Sequence, residues 1–389
     1  MIFCMCSFSS NAFCTRKTKP NVRVNVFAGA LDASFTARIS PLVNGLRDSG
    51  VECEINTPIN WKSIAKGKIG YILPVLLTHN PKSYLETLQN PPEVVIINRT
   101  ATLQMYYLER HFKSRGIKVI FDLDDALFLN NAKIMGLNVR PGSYYLEKMI
   151  KNADFVTVNG NCLKKYVDGC NKNACVIPDP IDTVLLSPKH KKNAKKITIG
   201  WVGNAMVHHE NLGLLVKPLE LLSNEYDIRF KIVSYLGDKI VKRLFERLEC
   251  LMDVDYGLDH WVSFDEYAKL LTDFDILVAP LLKKPWYEGK SSLRVGIGMA
   301  LGIPIVASPV GEQKYVIRHK VNGFLAQKEA EWYQSLKALI EDSTLRKELG
   351  RKGRDMAEKE LSLPVCASKL LKVISNSGPL EDSAFSTIY

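Results

Sequence analysis

What the 389-residue sequence lacks narrows its class before any motif is read. None of its nine cysteines falls into C-x-x-C spacing and their number is odd, which argues against a disulfide framework and a structural zinc site and fits a reducing compartment. No apolar run reaches the roughly 18–20 residues of a membrane-spanning helix; the longest nearly uninterrupted one is 69–77. A secretory signal is not expected either, because Arg16, Lys17 and Lys19 follow the mildly apolar start instead of preceding it. Residues 1–19 therefore read as an N-terminal extension, and a cytoplasmic protein is expected.

Acidic residues are scarce in one half only. Residues 1–200 hold 27 Lys and Arg against 15 Asp and Glu, whereas residues 201–389 hold 25 against 26. The surplus is either solvated surface or a preference for an anionic partner such as an acidic substrate or an anionic membrane face. Nucleic acid is not expected, since no aromatic-basic module or recognition helix accompanies the charge.

The chain is long enough for two domains, and its pattern supplies them. Strands at 22–28, 51–55, 94–97, 118–123, 155–158 and 175–177 alternate with amphipathic stretches, and Pro178-Asp179-Pro180 breaks the rhythm. After a basic linker at 186–196 the alternation restarts at 197–202, 228–233, 276–279 and 303–307, with Ser263-Phe264-Asp265-Glu266 as a capping box. Strands separated by helices imply parallel sheets covered on both faces. Two Rossmann-like domains are expected to face each other across an interdomain cleft, over residues 20–185 and 197–374, with a tail at 375–389.

Gly289-Lys290-Ser291 invites phosphate but is not a P-loop, because Lys284 stands where the first glycine belongs. Its context is more informative. A strand ending in Ala279-Pro280 leads to a loop, and Ser291 or Ser292 can cap a helix that stops at Gly302 before Pro304. Free N–H groups, the helix dipole and Lys290 would form an anion site; the plain alternative is an exposed lysine at a helix start.

Residues 275–325, DILVAPLLKKPWYEGKSSLRVGIGMALGIPIVASPVGEQKYVIRHKVNGFL, resemble the C-terminal core of the family 4 (group 1) retaining glycosyltransferases, which have the GT-B fold. TIGWVGNAMVHHENL resembles their phosphate loop, VIPDPID their linker and STLRKELGRKGRDMA their late helix, while SFTARISPLVNGLRDSGVE and KVIFDLDDALF resemble one branch in the first half. The resemblance implies a metal-independent enzyme without a cofactor, whose donor substrate is a nucleotide-diphosphate sugar. Its acceptor hydroxyl would belong to a polysaccharide, a glycolipid or a lipid-linked chain at the inner membrane face.

Two family features are replaced. The glutamates that such enzymes carry on this segment align with Gly289 and Ile297, so the ribose needs another partner: Glu288, backbone, or none if the donor site has decayed. The phosphate loop has Asn204 and His209 where cations are common, which shifts the diphosphate to Lys290 and Arg294, four apart on one expected helical face, with Gly203, Asn204 and Ser291 beside them. By the same alignment Asp124 orients or deprotonates the acceptor hydroxyl, Asp125 and Arg38 lie on the acceptor side, and Glu312 meets the donor sugar. Asp122 to Asp125 also suggests a metal-binding Asp-x-Asp, but that motif belongs to a one-sheet glycosyltransferase fold. The non-enzymatic alternative is a degenerate GT-B binding or scaffold protein.

Overall fold

The computed structural model describes residues 22–29, 35–57, 79, 81–129, 132–134, 137–139, 141–188, 196–258, 260 and 264–375. The expected extension at 1–19, the apolar run 69–77, Ser263 of the capping box, most of the basic linker and the tail beyond Ser375 lie outside the described residues.

The first unit contains β1 (Arg23–Phe27), β2 (Glu52–Asn56), β3 (Val94–Asn98), β4 (Lys118–Leu123), a small antiparallel ribbon of β5 (Ala132–Ile134) and β6 (Leu137–Val139), β7 (Phe155–Val158) and β8 (Ala174–Val176). Its main sheet has the order β2-β1-β3-β4-β7-β8, and every pair in it is parallel. The second unit contains β9 (Ile197–Val202), β10 (Ile228–Val233), β11 (Asp253–Asp255), β12 (Ile276–Ala279), β13 (Ile305–Ala307) and β14 (Phe324–Leu325), in the parallel order β11-β10-β9-β12-β13-β14. That is the order of dinucleotide-binding Rossmann domains, and its direction reverses between β9 and β12.

The central strands are apolar throughout because both faces are covered. VVIIN of β3 and ILVA of β12 are fully buried runs, as expected of parallel strands between helical layers. In the first unit the Leu103–Ser114, Pro141–Asn152 and Asn161–Val167 helices cover one face. The Ser40–Asp48 helix covers the other, together with the final helix Leu363–Ser375.

That final helix corrects the expected boundary at 374. Cys366, Leu370, Val373 and Ile374 share a core with Val24, Leu42 and Ile96, so the chain returns to the first unit after completing the second. The outward and return passages run side by side: Ile181 N–H donates to Leu361 O at 2.8 Å, and Leu363 N–H to Ile181 O at 2.9 Å.

Candidate active site

The loops after β9 and β12 flank the point where the strand order of the second sheet reverses, so the two candidate phosphate segments face one crevice. Buried Asn211 ties them together: its Oδ1 accepts from Leu282 N–H at 2.8 Å, and its Nδ2 lies 2.9 Å from His208 Nδ1. Burial first, and then the charges of Arg294 and Lys290, together push His208 down to about 3. Its ring is therefore neutral at physiological pH.

Arg294 donates through Nε to Val202 O at the end of β9 and lies 4.9 Å over the Trp201 ring. Burial lowers its pKa to about 10, so it stays charged. Gly203 makes room for it: φ is +144°, and a Cβ would stand 2.5 Å from Arg294 Nη2. Asn204 serves locally, accepting from Met206 N–H at 3.1 Å to cap the Ala205–Val207 turn.

Two expectations about the Gly-Lys-Ser corner change. The helix begins at Leu293, so Lys290 lies in its lead-in and not on a shared helical face with Arg294. Ser292 occupies the N-cap but makes no side-chain cap bond, and Ser291 instead acts on the Asp179 carboxyl, lowering a pKa that burial raises. The helix thus keeps the positive end of its dipole without a side-chain acceptor.

Lys290 reaches across the cleft. Its Nζ lies 2.9 Å from Asp125 Oδ1, with the two side chains 29% and 18% exposed, and 5.0 Å over the Trp286 ring. Trp286 itself packs on the core of the first unit. Gly289 permits this approach, since a Cβ there would stand 2.5 Å from Ala126 Cβ. A glutamate at 289 would collide with the facing domain in this closed arrangement. Ile297 belongs to the core of the second unit, and Glu288, the nearby acid, is paired with Lys314 at 2.7 Å.

On the first unit's edge, Arg99 Nε lies 3.0 Å from Asp124 Oδ1 and its Nη2 lies 3.5 Å from Asp125 Oδ2. Arg99 has φ +58°, a sparsely populated conformation for a non-glycine residue that is frequent where a site demands it. Asp124 is buried behind this arginine, so Asp125 is the more open carboxylate. That departs from the expectation that Asp124 meets the acceptor directly.

Arg38 departs further. It is 1% exposed, and its guanidinium donates to Asp122 twice, at 3.0 and 2.7 Å, to Ile177 O at 2.7 Å and to Asp179 at 3.2 Å. Burial opposes its charge, yet Asp122 and Asp179 outweigh that and raise its pKa. Asp122 likewise stays below the usual carboxylate range despite burial, because it faces Arg38 and accepts hydrogen bonds from Arg38, Thr157 and Asn98. With these donors committed inward, Arg38 ties β4 to the linker and is no contact for an acceptor. Asp122, which the sequence offered only within an Asp-x-Asp metal motif, is the hub.

Glu312 also sits on the domain boundary. Its carboxylate accepts from Asn161 N–H at 2.6 Å and Asn161 Nδ2 at 2.7 Å, and burial pushes its pKa up to about 7. In this arrangement its oxygens hold the two units together.

Known proteins agree with this architecture. Residues 196–342 match the family model described as glycosyl transferases group 1. An uncharacterized glycosyltransferase of Methanocaldococcus jannaschii is 26% identical over 257 residues, 64% of this chain, and the chain spans 65% of that relative's length. A glycosyltransferase structure from Rickettsia africae superposes with TM-score 0.65 at 14% identity, covering 92% of this chain and 98% of the other. Anabaena HepE in complex with UDP superposes with TM-score 0.62 at 12% identity, covering 91% of this chain and 100% of the other. The fold is that of GT-B glycosyltransferases. The family match supports a glycosyltransferase and does not favour the non-catalytic alternative.

Proposed function

We propose that the chain is a retaining glycosyltransferase of the family 4 type, which moves a hexosyl unit from a nucleotide-diphosphate sugar to an acceptor hydroxyl without a metal ion. One observation carries the reading: Arg294, held on Val202 O and the Trp201 ring, and Lys290 in the lead-in to the same helix stand at the strand-order reversal, beside a helix N-terminus free of side-chain capping. Amide dipoles and two cations in a partly desolvated crevice suit the charge that develops on a departing diphosphate. Structural neighbours solved with UDP and with UDP-glucose support this class of donor.

In the reaction the bond from the anomeric carbon to the donor phosphate oxygen breaks, and one from that carbon to the acceptor oxygen forms on the same face. The acceptor proton passes to the leaving diphosphate. Asp125 orients the acceptor hydroxyl, with Asp124 and Arg99 fixing its position from behind. The basic first half suits an acceptor in polysaccharide or glycolipid synthesis, held by an enzyme peripheral to the cytoplasmic membrane face. Among the described residues no helix is long and apolar enough to cross a membrane.

A screen of nucleotide sugars with released nucleotide as readout tests the reading, and NMR of the product's anomeric proton tests retention. Donor turnover that survives chelation is expected. A folded protein whose melting temperature ignores every nucleotide diphosphate would overturn the proposal, because a ligand that binds the native state must raise it.

A further inference from the structure

We propose that the cleft end of the Leu103–Ser114 and Pro141–Asn152 helices is a docking surface for an anionic lipid bilayer. The proposal rests on the membrane part of the function above and assigns it a surface.

Four tyrosines meet there. Tyr106 lies 5.4 Å from Tyr107 and 5.6 Å from Tyr145, and Tyr144 lies 5.2 Å from Tyr145, between ring centroids. Tyr107 and Tyr144 are each 59% exposed, although the same helices bury Met105, Leu108, Phe112, Leu146 and Met149 in the core. The exposed rings are thus an addition to a core face that is already satisfied. Lys148 donates to Tyr144 Oη at 2.5 Å and lies 4.0 Å over its ring, and Arg110 lies 5.9 Å over Tyr106.

Amphipathic rings flanked by cations match the headgroup region, where tyrosine settles with its ring among lipid and its hydroxyl in water. Lysine and arginine extend their apolar stems toward the same layer and are attracted to its anionic surface. The ring geometry favours lipid over an extended glycan lying across several rings. Interplanar angles of 62°, 40° and 79° leave no shared plane on which a sugar could stack. A knob of mutually tilted rings suits a layer of lipid headgroups, and Arg110 and Lys148 beside the rings make an anionic one the fitting partner.

Position adds a reason. The Leu103 helix starts just after Arg99, which pairs with Asp124 and Asp125, and the Pro141 helix packs on the Leu127–Leu129 turn that follows those carboxylates. The tyrosines in the early turns of both helices therefore share the sheet edge that bears the acceptor-side carboxylates. A docked protein would meet a bilayer-held acceptor at its cleft.

The test is sedimentation of the full chain with phosphatidylcholine vesicles, with and without phosphatidylglycerol. Binding should require phosphatidylglycerol and weaken with salt. The Tyr107→Ser/Tyr144→Ser variant should bind about tenfold more weakly, or about 1.4 kcal/mol, and Arg110→Gln/Lys148→Gln should flatten the salt dependence. Ile240→Ser, exposed on the second unit, should bind like the parent, and all variants should keep the parent's melting temperature. Equal binding by the tyrosine variant overturns the assignment, as does indifference of the parent to phosphatidylglycerol. Capture by a soluble acidic polysaccharide, lost in the tyrosine variant while vesicles are ignored, would give the surface to a glycan and overturn it too. Calorimetry with UDP and GDP on the same samples keeps the donor reading separate, since the donor cations Lys290 and Arg294 are not among the residues changed.

Discussion

The two edges that face each other across the cleft are built on opposite principles. The second unit's edge presents cations steadied by weak partners: Arg294 by a carbonyl and an indole, Lys290 by an indole and a partly exposed carboxylate. The first unit's edge presents carboxylates, and its strongest charge pair, Arg38 with Asp122, is sealed inside and saturated with hydrogen bonds. The same chemistry, a cation with an aspartate, is structural in one place and exchangeable in the other. Burial and the number of satisfied partners make the difference, and they direct an anionic donor to the second unit and an acceptor hydroxyl to the first.

The comparison is tested hardest at the sealed pair. Arg38→Met should lower unfolding stability by about 3–5 kcal/mol, because Asp122 is left buried without its counter-charge; the urea midpoint should drop at nearly constant slope. A loss within about 1 kcal/mol would mean that the pair behaves like a surface one. Lys290→Met should do the reverse. Its partly exposed pair contributes under about 1 kcal/mol to stability, but loss of a charge-assisted contact with a diphosphate, worth about 1.5–3 kcal/mol, should weaken UDP binding roughly 10- to 150-fold in calorimetry. Unchanged UDP affinity in a folded Lys290→Met protein would remove this lysine from the donor site.

The contrast between the two pairs was only half legible in the sequence. Parallel strands such as VVIIN and ILVA announce themselves, because burial on both faces leaves a run of apolar residues and nothing else. The cations at 290 and 294 were legible from the strand, loop and helix order around them. Arg38 was not: it stands at the entry of an amphipathic helix, where an arginine is ordinarily at the surface. Its burial depends on Asp122, 84 residues away, and on Asp179 in the linker. Glu312 poses the same problem, since its partner Asn161 is 151 residues distant. The Leu363–Ser375 helix shows an apolar face in its sequence, but periodicity does not say which of two sheets receives that face.

Glu312 offers the next largest effect, through pH. Its native pKa of about 7 is raised above that of an ordinary glutamate by burial, so the folded protein holds this proton where the unfolded chain has released it. The stabilisation from that proton is complete below the ordinary carboxylate range and is lost as pH rises from there to about 7. Unfolding free energy should therefore decline across that window, by up to about 1.4 kcal/mol per pH unit from this group. Glu312→Gln should remove that contribution while keeping an acceptor for Asn161. A wild-type slope that persists in the glutamine variant would assign the titration to another group.

The smallest effect falls on the exchangeable pair from its other side. Asp125 holds Lys290 across the cleft at 2.9 Å, and a donor phosphate must share or displace that contact. Asp125→Asn keeps the shape and removes the competing charge. Stability should move by less than about 1 kcal/mol, since both partners are partly exposed, whereas UDP affinity should rise by about two- to fivefold as Lys290 is released. The gain should shrink at high salt, where the original pair is already screened. Weaker UDP binding in Asp125→Asn would reverse the assignment, because the carboxylate would then be supporting the donor's nucleotide and not competing with its phosphates. The acceptor would in that case have to be oriented from the first unit's edge by Asp124 and Arg99 alone.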